Sequence, residues 1–264
     1  MASTGLFARL SHRLFVATGT SMTDATHRLV QRIGRIFSLN EDERHALATV
    51  PIIMHTFASH QDIVQEGDQP GQCCLIVAGW ACRYRILQHG GRQILSFHIP
   101  GDLPNIHGLH LPVTDHSLAA VTTVTVGFVS HAQIHDLIAE HPRLGSAFWK
   151  DTLIDAAIYR ERIVGMGRKE ALPRIAHFFC EVFLRMQAVD LTTQHSCSLP
   201  ITQTEMSDAL GLSSVHVSRV LRDLRHQEFI ALDHRTLTIL DWSRLMALAE
   251  FNPTYLHQDI SVPT

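Results

Sequence analysis

The chain has 264 residues, 45% of them hydrophobic and 18% charged, with a formal net charge of −3 at pH 7. Such a composition belongs to a folded protein with a sizeable core, and the length predicts two domains. It contains no uninterrupted apolar run of about 18 residues, which excludes a membrane-spanning helix; the small negative charge excludes nucleic-acid binding by bulk electrostatics, though not by a local basic patch.

The first 22 residues carry Arg9, His12 and Arg13 and no acid, with Phe7, Leu10, Leu14 and Phe15 in a weak amphipathic pattern. No apolar stretch followed by a small-residue cleavage site stands out, so residues 1–22 are expected to be a flexible extension. Met22 is an alternative start, to be tested by N-terminal mass spectrometry.

From about Pro51 to Val129 short β runs alternate with turns: Pro51–Phe57, Asp62–Val64, Cys73–Val77, Ala81–Leu87, Arg92–Ile99 and Ser117–Val129. Between them lie Glu66-Gly67-Asp68, Gly79, His89-Gly90-Gly91 and Pro100-Gly101-Asp102. Turn signals at this density predict an antiparallel sandwich or roll of the jelly-roll type within residues 23–140. In Ala81–Ile86 the alternation places Arg83 and Arg85 outward.

Ser130–Glu140 reads as a short helix. Residues 141–168 hold a long one, with Leu144, Phe148, Leu153, Ala156, Ala157, Tyr159, Ile163 and Met166 as an apolar stripe that must be covered. A further helix over about Ala171–Ala188 uses Ile175, Ala176, Phe178, Phe179, Val182 and Phe183 as its buried positions.

Residues 169–250 then carry the most informative pattern. Thr202 with Glu205 three residues on is a capping box, and Met206, Ala209 and Leu210 fall on one helical face. Gly211 suits the left-handed backbone that closes a helix, and Leu212 plugs the turn. Ser213 caps the next helix, in which Val217, Val220, Leu221 and Leu224 face inward. Ser214, Val215, His216, Ser218, Arg219 and Arg222 are left for another partner. This is the form of a helix-turn-helix, whose second helix enters a major groove; an ordinary helical hairpin is the alternative. Phe229–Leu232 and Leu237–Leu240 flank a turn at Asp233–Thr236, a hairpin with Arg235 at its tip. Asp241 caps a last helix before a tail at 251–264.

The fold class is therefore α+β: an antiparallel roll, a long helix and a winged helix-turn-helix. In order and spacing of parts, Thr23 to Asn252 resembles the Crp/Fnr superfamily of bacterial transcription regulators, whose roll is of the cyclic-nucleotide-binding type. The resemblance implies a cytoplasmic homodimer paired through parallel helices at 141–168, with Phe148, Leu153, Ala156, Tyr159 and Ile163 at the seam. It also implies RNA polymerase as a partner and a signal received at the roll. Arg219 matches the family's base-reading arginine, suited to guanine O6 and N7. Gln203 and Ser213 are expected on the DNA backbone, and Arg235 on a phosphate. Where relatives often carry a glutamate that accepts from cytosine, this chain has Val215, whose methyls suit a thymine methyl.

Other positions depart further. Members that bind cyclic AMP carry a Gly-Glu pair and an Arg-Ser/Thr-Ala set; here those places fall near Asn105 and Ile106 and near Thr114–His116. Gly101–Val124 contains neither lysine nor arginine, and a buried phosphate without a cation is costly. Control by cyclic AMP is not expected, and the effector is unknown. Cys73, Cys74, Cys82, Cys180 and Cys197 form no zinc-like or iron–sulfur spacing and read as small buried hydrophobes. His98, His107, His110 and His116 crowd the effector loop without a ligand motif, and a structural role is preferred over a metal or haem. No cofactor and no enzymatic activity are expected; a cupin-like metal-dependent enzyme and a cyclic-nucleotide-binding module are the competing readings.

Overall fold

The computed structural model describes residues 21–258. The weak amphipathic stretch through Phe7 and Phe15 and the end of the 251–264 tail lie outside them. Two helices to which the sequence patterns assign no element come first. In α1 (Met22–Ile36), Ser21 Oγ accepts from the Asp24 amide while the Asp24 carboxylate accepts from the Ser21 amide. This reciprocal cap starts a helix that buries Ala25, Leu29, Ile33 and Ile36 on one face. Helix α2 (Glu41–Thr49) is capped in the same way by Asn40 and Glu43.

The roll consists of β1 (Ile53–Phe57), β2 (Asp62–Val64), β3 (Gln72–Ala78), β4 (Ala81–Ile86), β5 (Arg92–His98), β6 (Ser117–Ala120) and β7 (Val124–Ser130). They pair antiparallel in two sheets, β1-β7-β3 and β2-β6-β4-β5. Phe57, Val64, Cys74, Ile76, Leu118, Val124 and Val126 fill one core between them. Strand β3 is covered on both faces, because Cys73, Leu75 and Val77 point into the larger core shared with the helices. That double burial is why it reads as an unbroken apolar run.

The expected strand Ser117–Val129 is two strands in different sheets. The Trp80 carbonyl accepts the amides of Val121 (2.8 Å) and Thr122 (3.3 Å), and Thr122 Oγ1 accepts from the Trp80 amide at 3.0 Å. The facing Gly79 has φ +81°, and a Cβ there would collide with the Thr123 carbonyl. A tight corner between sheets therefore replaces continuous pairing.

Helix α3 (His131–Glu140) is followed by α4 (Pro142–Arg168), 27 residues with proline in its first turn. Leu144, Phe148, Ile154 and Ile158 of α4 pack into the protein's own core. Two of the expected seam residues also serve the protomer itself. Phe148 is 5% exposed, and the Tyr159 hydroxyl is bound inside the protomer by Arg83 at 2.7 Å. Leu153 and Ile163 are exposed and Ala156 is half-buried. Along this outer face the spacing is Trp149, Leu153, Ala156, Arg160, Ile163, a heptad-like alternation of four and three. Trp149, 61% exposed, is the apolar member that the sequence pattern did not single out.

Helix α5 (Ala171–Gln187) is buried almost all round, as a core helix should be. Then come β8 (Thr192–Thr193), β9 (Ser196–Ser198), α6 (Gln203–Leu210), α7 (Ser214–His226), β10 (Ile230–Asp233), β11 (Thr236–Ile239) and α8 (Trp242–Ala249). Strands β8 and β9, not anticipated, extend the hairpin to a four-stranded sheet of order β10-β11-β9-β8. Part of the expected tail is packed as well. Phe251 and Leu256 are buried, and the Tyr255 hydroxyl donates to Glu181 at 2.9 Å.

Candidate nucleic-acid interface

Helix α6 begins with the capping box read from the sequence. Glu205 Oε2 accepts from the Thr202 amide at 2.7 Å, and Thr202 Oγ1 accepts from the Glu205 amide at 3.1 Å. It ends at Gly211, whose φ of +64° and ψ of +39° are left-handed and whose amide donates to Ser207. Ser213 Oγ then accepts from the His216 amide at 3.2 Å and starts α7. Val217, Val220, Leu221 and Leu224 are buried beneath α7.

The opposite face is open. Gln203, Ser213, Ser214, Val215, His216, Ser218, Arg219, Arg222 and, at the β10–β11 turn, Arg235 are all exposed. No hydrogen bond or ion pair is made by the Arg219 guanidinium among the described residues, and Arg222 comes only within 3.9 Å of Asp223. His234 and Arg235 both have positive φ, the backbone of a tight hairpin turn; the Arg235 carbonyl accepts from the Leu199 amide at 2.7 Å while the residue itself stays exposed. A face of unpaired cations and short hydroxyls, raised on a helix that its own core holds rigid, suits contact with phosphates and base edges. In this arrangement α6 is moored to the roll. Arg92 Nε of β5 donates to Asp208 Oδ2 at 2.8 Å, and Gln93 Nε2 donates to the Asp208 carbonyl at 2.7 Å.

Two family descriptions match. The cyclic nucleotide-binding domain covers residues 54–141 and the Crp-like helix-turn-helix domain covers residues 173–248. The chain belongs to the Crp/Fnr superfamily of transcription regulators. This regulator is 29% identical over 195 residues to the nitrogen fixation regulation protein FixK of Bradyrhizobium diazoefficiens, spanning 73% of this chain and 80% of the relative. It is 27% identical to FixK of Rhizobium meliloti (75% of this chain, 88% of the relative), and 26% to the transcriptional activator protein FnrL of Cereibacter sphaeroides (76% and 82%). The solved structure of FixK2 from Bradyrhizobium japonicum shares the fold with a TM-score of 0.68 at 24% identity, over 75% of this chain and 98% of that one.

The roll holds a second polar cluster. Arg83 is not outward as expected: it is 3% exposed, while Arg85 faces solvent. The register shift here places the extra residue, Leu95, on β5, and β4 keeps its alternation against β6; Arg83 is buried because α4 covers it, whereas Arg85 reaches Glu66 at 2.9 Å. Arg83 donates to the Pro104 carbonyl and reaches α4 at Asp155 Oδ2 (2.5 Å) and the Tyr159 hydroxyl (2.7 Å). Beside it, Ser96 Oγ meets His98 Nε2 at 2.8 Å, and Asp102 accepts from Arg185 at 2.6 Å. Burial, then the Arg83 charge, pushes His98 and His107 each down to about 4, and moves His116 the same way. Burial alone would raise Asp102, yet Arg185, His98 and Arg32 hold it below the usual carboxylate range.

The four histidines do not converge. His107 and His116 have ring centroids 5.4 Å apart, His98 is bonded to Ser96, and His110 is exposed. Among the described residues no three His, Cys, Asp or Glu side chains are grouped to hold a metal. All five cysteines are buried, and burial pushes the thiols of Cys73, Cys82 and Cys197 up to about 12, the behaviour of inert core residues. Among those residues no helix is long and apolar enough to cross a membrane.

Proposed function

We propose that this regulator acts in the cytoplasm as a homodimer and reads a near-palindromic duplex site with two copies of α7. The observation that carries the reading is the outward α7 face with an unpaired Arg219, inside a domain of the Crp-like helix-turn-helix type. Arg219 would bind a guanine edge, with Ser214, His216 and Ser218 on bases or nearby phosphates. Gln203, Ser213, Arg222 and Arg235 would fix the register on the backbone. Pairing through the outer stripe of α4 would set the two reading helices about 34 Å apart, one turn of duplex. Leu153, Ala156 and Ile163 stay in that seam, Trp149 joins it, and Phe148 and Tyr159 are withdrawn.

The domain limits that serve this reading are 23–140 for the roll, 141–168 for the pairing helix and 169–250 for the reading domain. RNA polymerase is the partner through which site occupancy would alter transcription, and any effector would act at the roll. Cyclic AMP is disfavoured there on chemical grounds. Asn105 Oδ1 accepts from the Cys74 amide at 2.6 Å and its Nδ2 donates to the Gln72 carbonyl at 3.0 Å, so this buried side chain is committed to holding β3. Arg83, a buried cation of the roll, is already paired with Asp155. The test is genome-wide footprinting with the intact protein: paired half-sites one helical turn apart support the reading, and the absence of any protected sequence overturns it. Calorimetry with cyclic AMP should show no heat of binding.

A further inference from the structure

We propose that Val215 is a specificity residue, reading the 5-methyl group of a thymine in each half-site. The inference rests on the DNA-reading role given to α7 above and names one base that it selects.

Val215 is 69% exposed, the most exposed of the large hydrophobic side chains among the described residues. It stands in the first turn of α7, ringed by Ser213, Ser214, His216, Ser218 and Arg219, all polar and all exposed. Among the described residues it belongs to no core cluster. The side chains that hold α7 down are Val217, Val220, Leu221 and Leu224, on the other face. A β-branched residue is also a mediocre helix former, so the position is not explained by helix stability. The first turn of the second helix in a helix-turn-helix is the part that meets base edges. On the floor of the major groove the apolar group on offer is the thymine 5-methyl; every other edge presents donors or acceptors. An isopropyl group at that depth leaves cytosine, adenine and guanine edges without a partner and buries well only against thymine. Arg219 lies four residues on, one turn along the same face. The pair therefore predicts a half-site in which a thymine stands close to the guanine that Arg219 contacts.

The experiment has two steps, both with the full-length protein. A randomised duplex library is first bound and sequenced to obtain the preferred site. Each thymine of that site is then replaced in turn by uracil, which differs only in lacking the methyl group. One replacement per half-site should weaken binding about fourfold, the weight of one methyl group removed from water. Val215→Ala, with a shorter apolar side chain, should narrow the difference between the thymine and uracil duplexes at that position, with other positions unchanged. Replacing the thymine by cytosine should lose affinity that 5-methylcytosine partly restores. Equal binding of thymine and uracil at every position, or an unchanged thymine preference in Val215→Ala, would overturn the assignment to Val215. A library that yields no enriched sequence at all would overturn the DNA-reading role instead.

Discussion

At Arg219 and at His98, chemistry is decided by whether a charged group has company. Arg219 has none among the described residues, so its five donors are available to a base edge. Arg219→Ala should cost about 1–3 kcal/mol in site binding and relax the choice at one base pair while leaving the others intact. Titrations against a panel of single-base variants check this; a uniform loss would place Arg219 on phosphate. His98 and His107 are crowded by burial and by Arg83, and both stay neutral down to about pH 4. The unfolded chain binds those protons near pH 6.5, so between 6.5 and 4 it holds more protons than the native state. Stability from this source is complete above pH 6.5 and is lost as the pH falls towards 4. Urea midpoints across that window should decline, and more shallowly in the double variant His98→Gln with His107→Gln.

Among elements, α6 and α7 were the most legible. Their boundaries follow from local chemistry: a capping box at Thr202, a left-handed glycine at 211 and a serine cap at 213. Gly211 gives a clean test, because a Cβ there would meet only Met166 Sδ at 3.8 Å, an ordinary contact. Gly211→Ala should therefore destabilise through backbone strain alone, by about 1–2 kcal/mol, measurable as a lowered thermal midpoint. The strands were legible in existence but not in limits. Asp62–Val64 carried through unchanged, whereas Ser117–Val129 was cut in two by contacts with Trp80 and Gly79. Helices α1 and α2 have good caps of their own, which the β-run pattern that begins at Pro51 did not take in.

For the molecule as a whole, α4 separates two roles that one apolar stripe confuses. Phe148 supports the protomer, and Phe148→Ala should lower its stability by about 3–5 kcal/mol, the usual toll for emptying a buried aromatic site. Leu153 and Ile163 lie on the outer face. The double variant Leu153→Glu with Ile163→Glu should stay folded but sediment as a monomer and lose affinity for a two-half-site duplex. Sedimentation velocity with thermal unfolding distinguishes these results, and a double variant that remains dimeric would remove α4 from the seam.

What the sequence determined by itself is everything that depends on neighbours three or four residues apart: caps, turns, helix faces and the exposed polar face of α7. Short-range hydrogen bonds and helical periodicity are local, so the residues carry them openly. Only the tertiary structure decided that Arg83 turns inward to Asp155, that Asp208 is moored by Arg92, and which side of α4 is left uncovered. Those outcomes depend on partners 72 and 116 residues away. No local pattern encodes such meetings, because the free energy of each contact exists only once the sheets and helices have met.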